Sequence, residues 1–208
     1  MVNARKSRED RAAKVEAMRR EQAAKARRRR LLLLTAGLVV VLLVGAAVTA
    51  VVLDLRQRAR DQDLSAVRSF TGLGRDHVEG EVTYPQTPPV GGNHNIAWLN
   101  CGIYEQQVPN VNAVHSLEHG AVWITYRPDL GPKARSTLED LVRGQTYLVL
   151  SPYEGLPAPV VASAWGKQLT FERASDPRLR AFVRAFKQGA QTPEPGAACT
   201  GGTGTPLA

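Results

Sequence analysis

The chain has 208 residues, a formal net charge of +8, a hydrophobic fraction of 43% and two cysteines. That hydrophobic fraction excludes a disordered chain, and two cysteines are too few for a disulfide-dense mini-protein. Residues 1–30 hold twelve of the 27 Lys and Arg and four of the 19 Asp and Glu, so the remainder is neutral; a nucleic-acid-binding domain, which spreads its basic residues over a folded face, does not fit this distribution.

Residues 1–30 read as a basic tail in which Asp10–Lys14, Glu16–Arg20 and Glu21–Lys25 are i,i+4 pairs with the acid first, the better order for a helix. No apolar stripe is present, so the tail is expected to be solvated rather than inserted into lipid. Residues 31–53, LLLLTAGLVVVLLVGAAVTAVVL, follow with 23 residues and no charge. A membrane-spanning helix needs about 20 apolar residues, whereas the apolar region of a cleaved secretory signal has about 7–15. An uncleaved anchor in contact with membrane lipid is therefore expected. Arg27, Arg28, Arg29 and Arg30 abut this run, and the far flank is less basic. The positive-inside rule then places the N-terminus in the cytoplasm and everything after residue 54 outside it.

Residues 54–70 read as a polar stalk and residues 71–188 as one globular domain. Within it, 77–84 suggests a strand and TPPVGGNH (87–94) a loop. Pro109 opens a short helix running to His119, with Gly120 as its stop. Strands are expected at 121–127 and 146–151, with a helix at 132–144 between them. Residues 160–165 and 167–172 flank Gly166 as a hairpin. Leu179, Phe182, Val183 and Phe186 form one stripe of a helix at 176–189. Helices and strands interleave without regular alternation, so the predicted class is α+β: a single small extracytoplasmic mixed domain behind one N-terminal transmembrane helix. Residues 189–208 lack apolar periodicity and are expected to be a flexible tail unless something ties them down.

All four histidines, His77, His94, His115 and His119, lie within 43 residues of one another, beside Cys101 and the dense stretch GGNHNIAWLNCGIY. Imidazole is the commonest metal ligand, and the i,i+4 spacing of His115 and His119 turns both to one side of a helix. His94 on its Gly-rich loop, His77 and Glu118 complete a candidate set for copper or zinc, with Glu118 either ligating or orienting a histidine. The bland alternative is a structural polar network in a non-enzymatic module that meets an envelope protein partner. A third reading takes HSLEH as the H-x-x-E-H pattern of a zinc hydrolase with Glu118 as catalytic base. Gly120 and a β-type run follow that pattern at once, and no acidic third ligand stands out. The enzyme reading is accordingly the weakest.

Cys101 and Cys199 both fall on the exported side, where an even count favours a disulfide; the alternative makes Cys101 a metal ligand. Trp98, Tyr104, Trp123, Tyr126 and Trp165 are candidates for a pocket but read more readily as core.

Together PPVGGNH (88–94), WLNCGIY (98–104) and VHSLEHGAVWITY (114–126) resemble an uncharacterised bacterial family, domain of unknown function three-one-zero-five, common in actinobacteria and often found behind one N-terminal anchor. The resemblance spans about residues 70–190, and SLEHG is its most specific part. His94, His115, Glu118, His119 and Gly120 match the family pattern. The resemblance implies the domain boundaries and the anchored arrangement; it carries no established activity.

Overall fold

The structure, a computed structural model, describes residues 2–207, with side chains of the first helix described from Lys14 onward. The Asp10–Lys14 pair lies outside the described residues. The chain divides into two compact units, residues 1–57 and 58–208. Helix α1 (Val2–Asp61) carries the apolar run. It is long and apolar enough to cross a membrane over Lys14–Asp61. Leu31, Leu34 and Val41 are 63%, 72% and 67% exposed. Such a wide apolar surface has no polar face to give to water. The pairs Glu16–Arg20 and Glu21–Lys25 form on its basic part.

Residues 58–208 build one mixed six-stranded sheet with three helices. Strand β1 (Arg68–Ser69) and strand β2 (Gly102–Ile103) are short edge pieces. Between β2 and the centre of the sheet the chain forms helix α2 (Asn110–Glu118). Then come β3 (Val122–Tyr126), α3 (Pro132–Val142), β4 (Leu148–Pro152), β5 (Val160–Ala164), β6 (Lys167–Phe171) and α4 (Pro177–Phe186). The strand order is β1-β6-β5-β3-β4-β2. Strand β4 pairs parallel with both β3 and β2, while β5 and β6 continue the sheet antiparallel from β3. Each parallel pair needs a crossover, and α3 supplies the one between β3 and β4. The expected α+β class therefore describes this unit.

Strands β3, β4 and β5 are buried throughout, which is why their sequences run as continuous apolar stretches instead of alternating with polar residues. The period of two still assigns the faces. Val122, Ile124, Leu148, Leu150, Val160 and Ala162 point to the side covered by Leu138 and Leu141 of α3 and Leu179 and Phe182 of α4. Trp123, Val149 and Val161 point to the other side, against Val114 and Leu117 of α2. That second face also receives polar groups, which pair with one another or with the backbone: Trp123 Nε1 donates to Ser151 Oγ at 3.0 Å, the Thr125 hydroxyl to the Val161 carbonyl at 3.1 Å and Gln168 Nε2 to Ser163 Oγ at 3.0 Å.

Residues 77–84 do not form the expected strand. Only a one-residue parallel bridge joins His77 to His94. Gly80 at φ +86° turns the chain away, and Glu79 and Glu81 are exposed, so no buried face holds a longer pairing. Residues 189–207 have no regular structure, but they are tied down. Cys199 forms a disulfide with Cys101. Thr203 N donates to the Trp98 carbonyl, Asn100 N to Thr203 and Leu207 N to Ile103. The Tyr147 hydroxyl donates to Ala197. The tail thus continues the β2 edge of the sheet, an edge that would otherwise expose unpaired backbone. Gly202 fits there because a side chain would strike Trp98, its Cβ falling 2.6 Å from the indole Cδ1.

Candidate metal centre

Helix α2 begins at Asn110, with Pro109 as its extended N-cap. It ends because Gly120 takes φ +94°. On this short helix His115 is followed by Glu118 three residues on and His119 four residues on. At roughly 100° per residue they stand on opposite sides of His115. Glu118 turns towards the loop that bears His94. His119, at the C-cap, turns towards the tail.

The loop is held by local bonds. The Tyr84 hydroxyl donates to the Asn93 carbonyl at 2.7 Å. His94 N donates to Asp76 O and Val78 N to His94 O, so His77 is carried alongside His94. Asn112 Nδ2 donates to the Ala97 carbonyl at 2.6 Å, and Ser116 Oγ to the Leu99 carbonyl at 2.7 Å. These bonds stitch the loop to α2.

The outcome is a compact group. One ligating atom from each of His77, His94, His115 and Glu118 lies within 4.8 Å of the others. His94, His115 and Glu118 are 0%, 4% and 1% exposed, while His77 is exposed. The rings of His77 and His115 are stacked at 4.9 Å, and those of His94 and His115 are 4.8 Å apart. Trp165 meets His94 edge-on at 6.0 Å and Trp98 meets His115 at 5.9 Å, forming apolar walls. This His3Glu group, buried except at His77, could hold a metal ion.

Hydrogen bonding fixes which imidazole nitrogen is free. His94 Nδ1 lies 2.7 Å from the Gly92 carbonyl, and His115 Nδ1 lies 2.7 Å from the Asn95 carbonyl. A carbonyl only accepts, so each Nδ1 carries the ring proton. In the neutral ring each Nε2 is then a lone pair. Burial above all pushes His115 down to about 4, with the neighbouring histidines adding to the effect against the Asn95 hydrogen bond, so this ring is neutral near pH 7. His94 Nε2 is buried without a hydrogen-bond partner. It nevertheless lies 3.0 Å from Glu118 Oε2. In the neutral tautomer with its proton on Nδ1, that contact brings two acceptors together, an arrangement that a shared cation satisfies.

The carboxylate is also held from outside. Arg75 Nε donates to Glu118 Oε1 at 2.8 Å. The same guanidinium lies 3.7 Å from Glu194. Residue spacing gave no sign of Arg75 or Glu194; Arg75 is two residues before His77, but no motif marks it as the partner of Glu118.

His119 does not join the four. Its Nδ1 lies 2.5 Å from the Ala198 carbonyl of the tail, and its Nε2 faces Glu194 at 3.7 Å. Trp98 packs on its ring at 5.3 Å. The helical i,i+4 pattern places it next to His115, at 4.4 Å between rings, but the helix has ended and the tail takes its nitrogen. Cys101 is in the disulfide and offers no thiolate, which removes the alternative of a cysteine ligand. Of the five aromatic candidates, Trp123 and Tyr126 are core residues on opposite faces of the sheet and Tyr104 packs with Trp123, whereas Trp98 and Trp165 border the histidines.

A search of curated proteins finds no match, and neither does a search of solved structures. The family described as "Protein of unknown function (DUF3105)" matches residues 77–201. That span begins at His77, ends two residues after Cys199 and covers more than half of the chain. The chain belongs to this family.

Proposed function

We propose that this chain is a single-pass cell-envelope protein whose extracytoplasmic domain binds one divalent transition metal ion, zinc or copper(II), through His77, His94, His115 and Glu118. The observation that carries the reading is the buried His94 Nε2, without a hydrogen-bond partner and 3.0 Å from a carboxylate oxygen. The donor set, three imidazoles and one carboxylate with no thiolate or thioether, suits borderline divalent ions better than copper(I). The carbonyl partners of His94 and His115 are the outer bonds that orient metal-ligating imidazoles, and Arg75 orients Glu118 in the same way. Four ligands around zinc stand ~3.4 Å apart. A group spread over as much as 4.8 Å therefore draws together by about an ångström on loading.

The envelope location is supported by the apolar span of α1, the Arg-rich flank before it and the disulfide, a bond that persists in oxidising compartments. The hydrolase reading gains nothing from the geometry. One Glu118 oxygen accepts from Arg75 and the other, facing His94, is the atom assigned to the metal, so neither is left to act as a base on water.

Competition between full-length protein in detergent and a chromophoric zinc or copper chelator tests the site. Wild type should withdraw one equivalent of metal, and His115→Ala should fail to do so while keeping the wild-type circular dichroism. Equal competition by both proteins would refute these ligands.

A further inference from the structure

We propose that His77 is the exchangeable ligand of this centre, past which the metal enters and leaves by direct ligand exchange with an incoming donor that offers imidazole or carboxylate groups. The inference rests on the metal reading above and concerns how the site is loaded and unloaded.

The four residues are not equivalent. His94, His115 and Glu118 are buried, and each is held by a second bond: to the Gly92 carbonyl, to the Asn95 carbonyl and from Arg75, respectively. His77 is exposed and its ring makes no hydrogen bond among the described residues. It is placed by the backbone bridge to His94 and by two ring contacts, stacking on His115 at 23° between planes and an edge contact with His94 at 5.1 Å. Trp98 and Trp165 wall the buried rings. The solvent-facing side of the group is therefore the His77 side. A ring held by ring contacts, with no hydrogen bond, can rotate off at the cost of those contacts alone, whereas displacing His94 or Glu118 would strand a buried polar group.

The exchange balances simply. The bond from the metal to His77 breaks as a bond from the metal to the incoming donor forms. Charge and oxidation state of the metal are unchanged, and the freed imidazole is solvated. The three inner ligands hold the ion while the first donor enters, so exchange passes through a ternary complex; their bonds are then replaced in turn by the incoming donor's remaining groups, and no free ion is released. The partner this chemistry fits is a metal carrier or chelator whose nitrogen or oxygen donors reach the surface position of His77.

The test is stopped-flow transfer of zinc from the loaded full-length protein in detergent to excess EDTA. For wild type the transfer rate should rise in proportion to EDTA concentration. His77→Ala should still bind zinc, more weakly, and transfer it faster by about tenfold or more, since affinity changes within one site appear mainly in the off-rate. His77→Asp, which restores an exchangeable donor, should return the rate towards wild type. A wild-type rate independent of EDTA, a His77→Ala rate within about twofold of wild type, or complete loss of zinc from folded His77→Ala would each overturn the role of His77 while leaving the metal site standing. Failure of wild type to take up zinc or copper(II) at all would overturn both proposals.

Discussion

At the scale of single residues, the site turns on which of two neighbours on α2 joins His115 in the candidate metal group. Spacing alone favours His119, because i,i+4 histidines are a familiar ligand pair. The structure gives that side to the tail, through the Ala198 carbonyl, and gives the inner side to Glu118. Sequence reasoning reached all of the residues concerned because histidine and glutamate declare their chemistry wherever they sit. It could not assign their directions, which depend on a tail some eighty residues further on and on Arg75. Two substitutions separate the assignments. Glu118→Gln should weaken zinc binding by at least the roughly 10–100-fold that loss of an outer-shell partner costs, measured by chelator competition. His119→Ala should keep one equivalent of metal with less than about tenfold loss; an effect as large as that of Glu118→Gln would move His119 into the ligand set.

At the scale of elements, α2, β3, α3, β4, the β5–β6 hairpin and α4 all lie where apolar pattern, Pro and Gly signals placed them, within a few residues. Long buried stretches such as VWITY and LVLSP write their packing into composition. The two-residue strands β1 and β2 do not, because so short a pairing leaves no period to read. The segment at 77–84 misled for the opposite reason: its β-prone residues have no partner strand. Two element ends yield predictions. Asp176 caps α4, accepting from Arg178 N at 3.0 Å, and its carboxyl is held below the ordinary 3.8, first by the Arg178 side chain. A depressed folded value stabilises above the unfolded value and the contribution fades as pH falls through the folded one. Asp176→Ala should therefore cost about 1 kcal/mol at neutral pH, and the difference from wild type should shrink below pH 3.8. Denaturant titrations at neutral and acid pH check this. Gly120→Ala should destabilise by about 1–3 kcal/mol, since φ is +94° and the new methyl would meet the Gln188 side chain and lie 3.0 Å from Thr192 Cγ2.

At the scale of the whole molecule, the charge of +8 belongs to one end of a helix able to span a membrane, and the neutral remainder folds around a sheet whose α2 side carries the histidines. The disulfide joins residues 98 apart in sequence. It anchors the tail that supplies the carbonyl for His119 and covers Trp98 with Gly202. Removing it as Cys101→Ser/Cys199→Ser should lower stability by about 2–5 kcal/mol, read from denaturant midpoints under non-reducing conditions. The tail's order was not legible from its Gly- and Pro-rich composition, because it comes from the disulfide and from backbone bonds to residues 98–103. Whether a metal ion fills the His94–Glu118 gap decides the proposed function. Elemental analysis of the full-length protein, purified in detergent, loaded with zinc or copper(II) and desalted, measures this directly. One metal ion per chain in wild type, and less than about a tenth of that in a folded His94→Ala/His115→Ala variant, is the predicted result; equal metal content in the two proteins, or none in wild type, would contradict it.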